Sequence, residues 1–161
     1  MKSYNELIRS YLTGILMFCC MQQTIQAQGI PLANAYAHND YWHKRPLHDA
    51  LENGYTNIEV NIFQVGNEFV VAHLFPFFRS GKTLENLYLN PLYEHITKNK
   101  GRVYANNYRP IILMIDIKMN ANKTYQALKE VLAKYREILS SCENGILIER
   151  QFTIVISGNK P

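Results

Sequence analysis

"RPIILMIDIK", residues 109–118, decides the fold. From Ile111 to Ile117 the only polar residue is Asp116, and isoleucine dominates. An apolar run of that length without alternation reads as a strand buried on both faces, and such strands belong to parallel sheets covered by helices. Working back, "TNIEVNIFQV" (56–65) alternates like a strand. "NEFVVAH" (67–73) follows it as a second strand after the turn-like Gly66–Asn67. "PLANAYAH" (31–38) is a short β-compatible stretch ending at His38.

Helical patterns fill the gaps. "RPLHDALENG" (45–54) has Pro46 suited to a helix start and Gly54 suited to its end. "KTLENLYLNPLYEHITKN" (82–99) reads as helix on both sides of Pro91. "KTYQALKEVLAKYREIL" (123–139) puts Tyr125, Leu128, Val131, Leu132, Tyr135, Ile138 and Leu139 on one face. "QFTIVISGN" (151–159) adds a last strand. Strands alternating with helices predict βαβ units in an α/β fold, about four of them, the last without its helix. A closed (β/α)₈ barrel takes eight units and typically ~250 residues, so the pattern is that of the N-terminal half of a barrel, or of an open sheet of similar order.

The chain has 161 residues, 47% hydrophobic and 19% charged, which fits a globular domain with a real core. Its net charge of +4 is mild and its basic residues are scattered, so no nucleic-acid stripe is expected. Residues 1–28 have the order of a secretory signal: Lys2 and Arg9, an apolar stretch from Tyr11 to Met21, then a polar run to Ala27. That stretch is shorter than the ~20 residues a transmembrane span needs. The expectation is a bacterial protein exported to the periplasm or medium, with residues 29–161 as the mature domain. Lipidation at Cys19 or Cys20 is the minor alternative, disfavoured by the bulky Phe18. Cys142 would remain as a lone thiol with no staple to form.

The chemistry-bearing residues collect at strand ends. Residues two apart on a strand share a face, so Glu59 pairs with Asn61, and Asp116 with Lys118. In parallel α/β folds the carboxyl ends of the strands carry the site. His38, Glu59, Asn61, His73 and Asp116 all lie at or near such ends. Two carboxylates and an amide carbonyl are hard donors suited to Mg²⁺ or Ca²⁺. Two histidines beside such an ion would serve as base and acid. Blander readings stay open: His38 as a strand-end residue, Asp116 paired with Lys118, Asn61 hydrogen-bonded to a neighbouring loop, His43–Arg45 as a solvated loop, and Phe75, Phe77 and Phe78 as loop packing instead of a lipid-facing rim.

In order and spacing, "AHNDY", "IEVN", "VVAH" and "IDIK" resemble the glycerophosphodiester phosphodiesterase and phosphatidylinositol phospholipase C-like superfamily. The likeness is nearest to a secreted bacterial branch related to the altered-inheritance-of-mitochondria proteins and runs from about Leu32 to Pro161, including "TLENLYLNPL" and "ISGNKP". The resemblance implies a TIM barrel hydrolysing phosphodiesters, of glycerophosphodiester or phospholipid head-group type, with a divalent ion and two histidines. Carried over, His38 and His73 are the catalytic histidines, and Glu59, Asn61 and Asp116 are the metal ligands. Asn39 and Lys118 face the substrate, and a substrate hydroxyl attacking phosphorus would form a cyclic phosphate. An Asp at position 116 is also similar to the sphingomyelinase D branch.

The sequence departs from that pattern three times. Asn61 stands where an Asp is usual, Leu74 follows His73 where an Asp is usual, and the chain stops after the fourth strand. These departures keep a second reading alive, an inactive remnant or binding module of the same family. Two open sheet edges would also favour self-association.

Overall fold

The computed structural model describes residues 29–76, 81–107 and 109–161. The expected signal segment and the aromatic pair Phe77 and Phe78 lie outside the described residues. Strand β1 (Leu32–Ala37) leads through a 3-10 turn (Asp40–Trp42) to the short helix α1 (His48–Glu52). β2 (Tyr55–Val65) and β3 (Glu68–Val71) form a hairpin. A π-helical turn (Glu85–Leu89) runs into α2 (Asn90–Lys98). Then come β4 (Ile111–Ile117), α3 (Ala121–Ala133), the small hairpin β5 (Ser141–Glu143) and β6 (Ile146–Ile148), and β7 (Phe152–Gly158).

β1, β2, β4 and β7 lie side by side in that order and run parallel, with β3 antiparallel to the far end of β2. The result is a mixed α/β fold with a mostly parallel central sheet. Four parallel strands laid down in chain order, with helical segments between them, are compatible with part of an α/β barrel.

The two faces of the sheet differ most at β4. Ile58, Val60 and Ile62 of β2 and Ile111, Leu113, Ile115 and Ile117 of β4 are all fully buried. They pack in one cluster with Leu51, Leu84, Tyr88, Leu92, Leu128 and Val131 from the helical segments. The intervening residues of β4, Ile112, Met114 and Asp116, are only half-buried. The expectation of a strand buried on both faces therefore holds for one face of β4 alone among the described residues.

Local chemistry explains most boundaries. Pro91 has no N–H to give the Leu87 carbonyl, and the chain meets it in a π register where the Asn90 N–H reaches back to Glu85 O. Gly66 at φ 60 opens the two-residue β2–β3 turn, a backbone that glycine adopts freely. α3 ends at Ala133, short of the expected Leu139. Ser140 N–H donates to Phe152 O at 2.7 Å and Phe152 N–H to Ile138 O at 3.1 Å, so the chain is drawn off the helix onto the start of β7. Tyr135, Ile138 and Leu139 stay buried all the same. The β5–β6 hairpin was not expected, although Asn144 and Gly145, both at positive φ, form the kind of turn that Asn–Gly favours.

Candidate active site

Most of the residues singled out from the sequence meet at the carboxyl ends of β1, β2 and β4. Parallel register sets Asn61 beside Asp116 and Asp116 beside Ser157. Glu59 sits one pleat earlier on the same face of β2, 8% exposed, while Asn61 is 1% exposed. The chain leaving β1 turns at Asn39, whose left-handed backbone (φ 51, ψ 43) suits asparagine. Its N–H then points at Glu59 Oε2, 3.3 Å away. His38 Nε2 lies 3.2 Å from the same oxygen, with its ring largely exposed. The carboxylate thus holds the first histidine by one nitrogen, and the Asn39 side-chain amide lies 3.3 Å from the other.

The β2–β3 hairpin delivers His73. Ala72 N–H donates to Asn61 O at 3.2 Å, so the next residue emerges beside the Asn61 side chain. His73 Nδ1 is 3.3 Å from Asn61 Nδ2. The Asn61 amide also donates to Asn39 Oδ1 at 2.9 Å and to the Tyr41 hydroxyl at 2.6 Å. The loop hydrogen bond considered for Asn61 is therefore present. The pairing considered for Asp116 is present too, with Lys118 Nζ 3.0 Å from its Oδ1.

Three oxygens in this row are left over. Asn61 Oδ1, Asp116 Oδ1 and Ser157 Oγ are buried and accept or donate no hydrogen bond; the Lys118 contact is an ion pair outside hydrogen-bonding geometry. Buried polar atoms without partners are uncommon and costly. All three are hard oxygen donors by type, and the register sets their residues at one level of the sheet. Among the described residues no group of three His, Cys, Asp or Glu side chains is placed to hold an ion, and position 61 is an amide.

Gly158 keeps this row tight. At φ +71, an added Cβ would overlap Asp116 Oδ1 and lie 2.6 Å from Ile117 O. Asn159 does not reach into the row; its side-chain amide donates to Lys118 O at 2.7 Å.

The loop over the site is anchored from below. Asp40 is fully buried, accepts from Leu47 N–H at 2.6 Å and Tyr88 OH at 3.0 Å, and pairs with His43 Nδ1 at 3.1 Å. Leu47 has φ 62 and ψ −52, the centre of a strained γ-turn closed by His48 N–H on Pro46 O at 2.7 Å. Its fully buried side chain and the Asp40 grip hold it there. Arg45 is committed to Asp49 at 2.7 Å and Glu52. His95 Nε2 contacts Val103 O at 2.9 Å, away from these residues.

Sequence reasoning missed Tyr41, Ser157 and Asp40. Tyr41 OH donates to Asn39 Oδ1 at 2.7 Å and lies 3.4 Å from His73 Nδ1. A tyrosine carries no motif by itself, but its place one turn after His38 was a usable signal. Trp42, 72% exposed, sets its ring edge-on to His73 at 6.1 Å between centroids. Exposed Leu74 and Phe75 follow His73 at the same edge.

Comparison with known proteins fixes the family. A family model described as the AIM6-like phosphodiesterase domain matches residues 24–161. Altered inheritance of mitochondria protein 6 of Kluyveromyces lactis is 30% identical over 165 residues, covering 81% of this chain and 38% of that protein. The protein of the same name from Eremothecium gossypii is 27% identical, with 81% and 38% covered. A homolog from Arthroderma benhamiae is 23% identical, with 83% and 49% covered. The chain thus spans less than half the length of these curated relatives. No solved structure matches.

These relatives correct two expectations. They are eukaryotic proteins named for the inheritance of mitochondria, so the reading of a bacterial, exported protein is overturned. For the same reason the family is not shown as a secreted bacterial branch. No helix among the described residues is long and apolar enough to cross a membrane. With histidines at both ends of the Glu59–Asn61 pair and a matching family model over most of its length, the chain belongs to the AIM6-like phosphodiesterase domain family.

Proposed function

We propose that this chain carries the catalytic edge of a phosphoric diester hydrolase whose barrel closes as a TIM barrel. The observation that carries the reading is the convergence of two imidazoles on one polar row, His38 on Glu59 at 3.2 Å and His73 on Asn61 at 3.3 Å. One histidine takes the proton of the attacking hydroxyl as the new P–O bond forms. The other gives a proton to the departing oxygen as the old bond breaks. Glu59 steadies the imidazolium of His38. Lys118 and the Asn39 side-chain amide would receive phosphoryl oxygens. The substrate is a glycerophosphodiester or a phospholipid head group, and an internal hydroxyl as nucleophile leaves a cyclic phosphate.

Glu59, Asn61 and Asp116 would hold Mg²⁺ or Ca²⁺, and the buried oxygens of Asn61 and Asp116 that take no hydrogen bond support that assignment. The ion would neutralise charge on the phosphoryl group. Among the described residues β1 and β7 each have one neighbouring strand in the central sheet, which would favour self-association; light scattering would detect it.

The test is hydrolysis of a chromogenic phosphodiester by the full chain with added Mg²⁺ or Ca²⁺, and its loss in His38→Ala. Because His38 is mostly exposed, the substitution should leave folding intact while lowering the rate roughly 10²–10⁴-fold. A second reading, a binding module that keeps the pocket without turnover, is favoured by the amide at position 61 and the lack of a three-acid cluster among the described residues. Cation or phosphodiester binding by calorimetry with no hydrolysis under any of these conditions would select it.

A further inference from the structure

The geometry points to Tyr41 as the residue that orients His73 and gives its Nδ1–H an acceptor, in the place where a carboxylate would otherwise stand. This inference rests on the phosphodiesterase reading for its consequence but not for its geometry. Residue 74, next to His73, is an exposed leucine, and residue 61 is an amide. Neither supplies the carboxylate that commonly fixes a catalytic imidazole.

Counting hydrogens around the hub shows why a hydroxyl is needed. Asn61 Nδ2 brings two hydrogens and has three acceptors in range: Asn39 Oδ1 at 2.9 Å, the Tyr41 hydroxyl oxygen at 2.6 Å and His73 Nδ1 at 3.3 Å. Tyr41 brings one hydrogen, directed to Asn39 Oδ1 at 2.7 Å. An amide nitrogen only donates, so Asn61 alone would favour a bare Nδ1 and put the ring hydrogen of neutral His73 on Nε2. An imidazole in that state has no lone pair on Nε2 with which to take a proton.

The Tyr41 oxygen changes this balance. With its own hydrogen on Asn39, it still has acceptor capacity and lies 3.4 Å from His73 Nδ1. It can take an Nδ1–H, which leaves Nε2 free to act as a base. The position of Tyr41 in the 3-10 turn, directly after the fully buried Asp40, restricts where the ring can go.

The experiment is nitrogen NMR of the full chain labelled at histidine, at a pH where His73 is neutral, on wild type and Tyr41→Phe. The substitution removes one oxygen and keeps the ring. Wild type is expected to show a substantial Nδ1–H population at His73, and Tyr41→Phe to move it to Nε2–H. Adding Asn61→Asp to Tyr41→Phe supplies a carboxylate acceptor and should bring the Nδ1–H form back. In turnover, Tyr41→Phe should lower kcat on the order of 10²-fold, the low end of acid–base contributions, with KM little changed. An unchanged His73 tautomer in Tyr41→Phe, or no return on adding Asn61→Asp, overturns the assignment. If wild type turns over no phosphodiester but the tautomer moves as expected, the proposed function falls and the role of Tyr41 stands.

Discussion

The two faces of β4 differ residue by residue. Ile111, Leu113, Ile115 and Ile117 are fully buried against the helical side, whereas Ile112, Met114 and Asp116 are only half-buried. The same strand therefore does two jobs. Its covered face contributes the hydrophobic free energy of the fold, roughly 25 cal/mol for each Å² removed from water. Its other face carries Asp116, in register with Asn61 of β2 and Ser157 of β7, and the buried oxygens of all three lack hydrogen-bond partners. Stability and chemistry are thus separated by a single step of the pleat.

That separation breaks most visibly at Leu113. Leu113→Ala should cost about 2–5 kcal/mol, as for other fully buried leucines, while Met114→Ala on the other face should cost about 1 kcal/mol. Urea titration followed by circular dichroism compares them; equal losses would mean that the two faces are not distinct in energy. Next in size is Gly158→Ala, at roughly 1–3 kcal/mol, because the new Cβ meets Asp116 and a left-handed backbone at once. Its melting temperature should fall, and a variant as stable as wild type would show that the Asp116 row has slack.

Tyr88 tests the covered side from below the site loop. Its hydroxyl donates to Asp40 at 3.0 Å, and burial, then the Asp40 charge, raises its pKa above the ordinary 10.0. A folded pKa above the unfolded one means that this contribution is intact below about pH 10 and is lost as the pH climbs further, since only the unfolded chain then releases the proton. Tyr88→Phe should cost about 1–2 kcal/mol at neutral pH and flatten the decline in stability from pH 10 to 12. Parallel curves for wild type and variant would remove Tyr88 as the cause. The smallest effect belongs to the surface: Lys134, 3.1 Å from Glu85, is mostly exposed, and Lys134→Met should change stability by less than about 1 kcal/mol and not at all in high salt.

Much of this was legible in the chain. The alternation of 56–65 and the apolar run of 111–117 mark strands because a pleat repeats every two residues, and β2 and β4 lie where those patterns put them. His38, Glu59, Asn61, His73 and Asp116 stood out as polar groups at or near the ends of apolar runs, Lys118 shares a strand face with Asp116, and Asn39 entered through the family resemblance. The structure brings His38 and Asn39 onto Glu59, and His73 onto Asn61. Position 61 also showed in advance that the row would lack a third carboxylate.

Other features depended on contacts that no local pattern encodes. α3 stops early because residues 138–140 are claimed by Phe152, a strand residue beyond an intervening hairpin. Tyr41 acquires its place only when β2 and the β3 hairpin bring Asn61 and His73 to it, 20 and 32 residues along the chain.

Local pattern alone thus marked the central strands, most of the helical segments and the polar residues at their ends, though not β5, β6 or the end of α3, because side-chain periodicity and backbone preference act over a few neighbours. The shared level of Asn61, Asp116 and Ser157, the space that Gly158 leaves for Asp116 and the tyrosine facing His73 came from the assembled fold. Those facts follow from parallel register and loop packing, which depend on residues distant in the chain meeting at hydrogen-bonding distance.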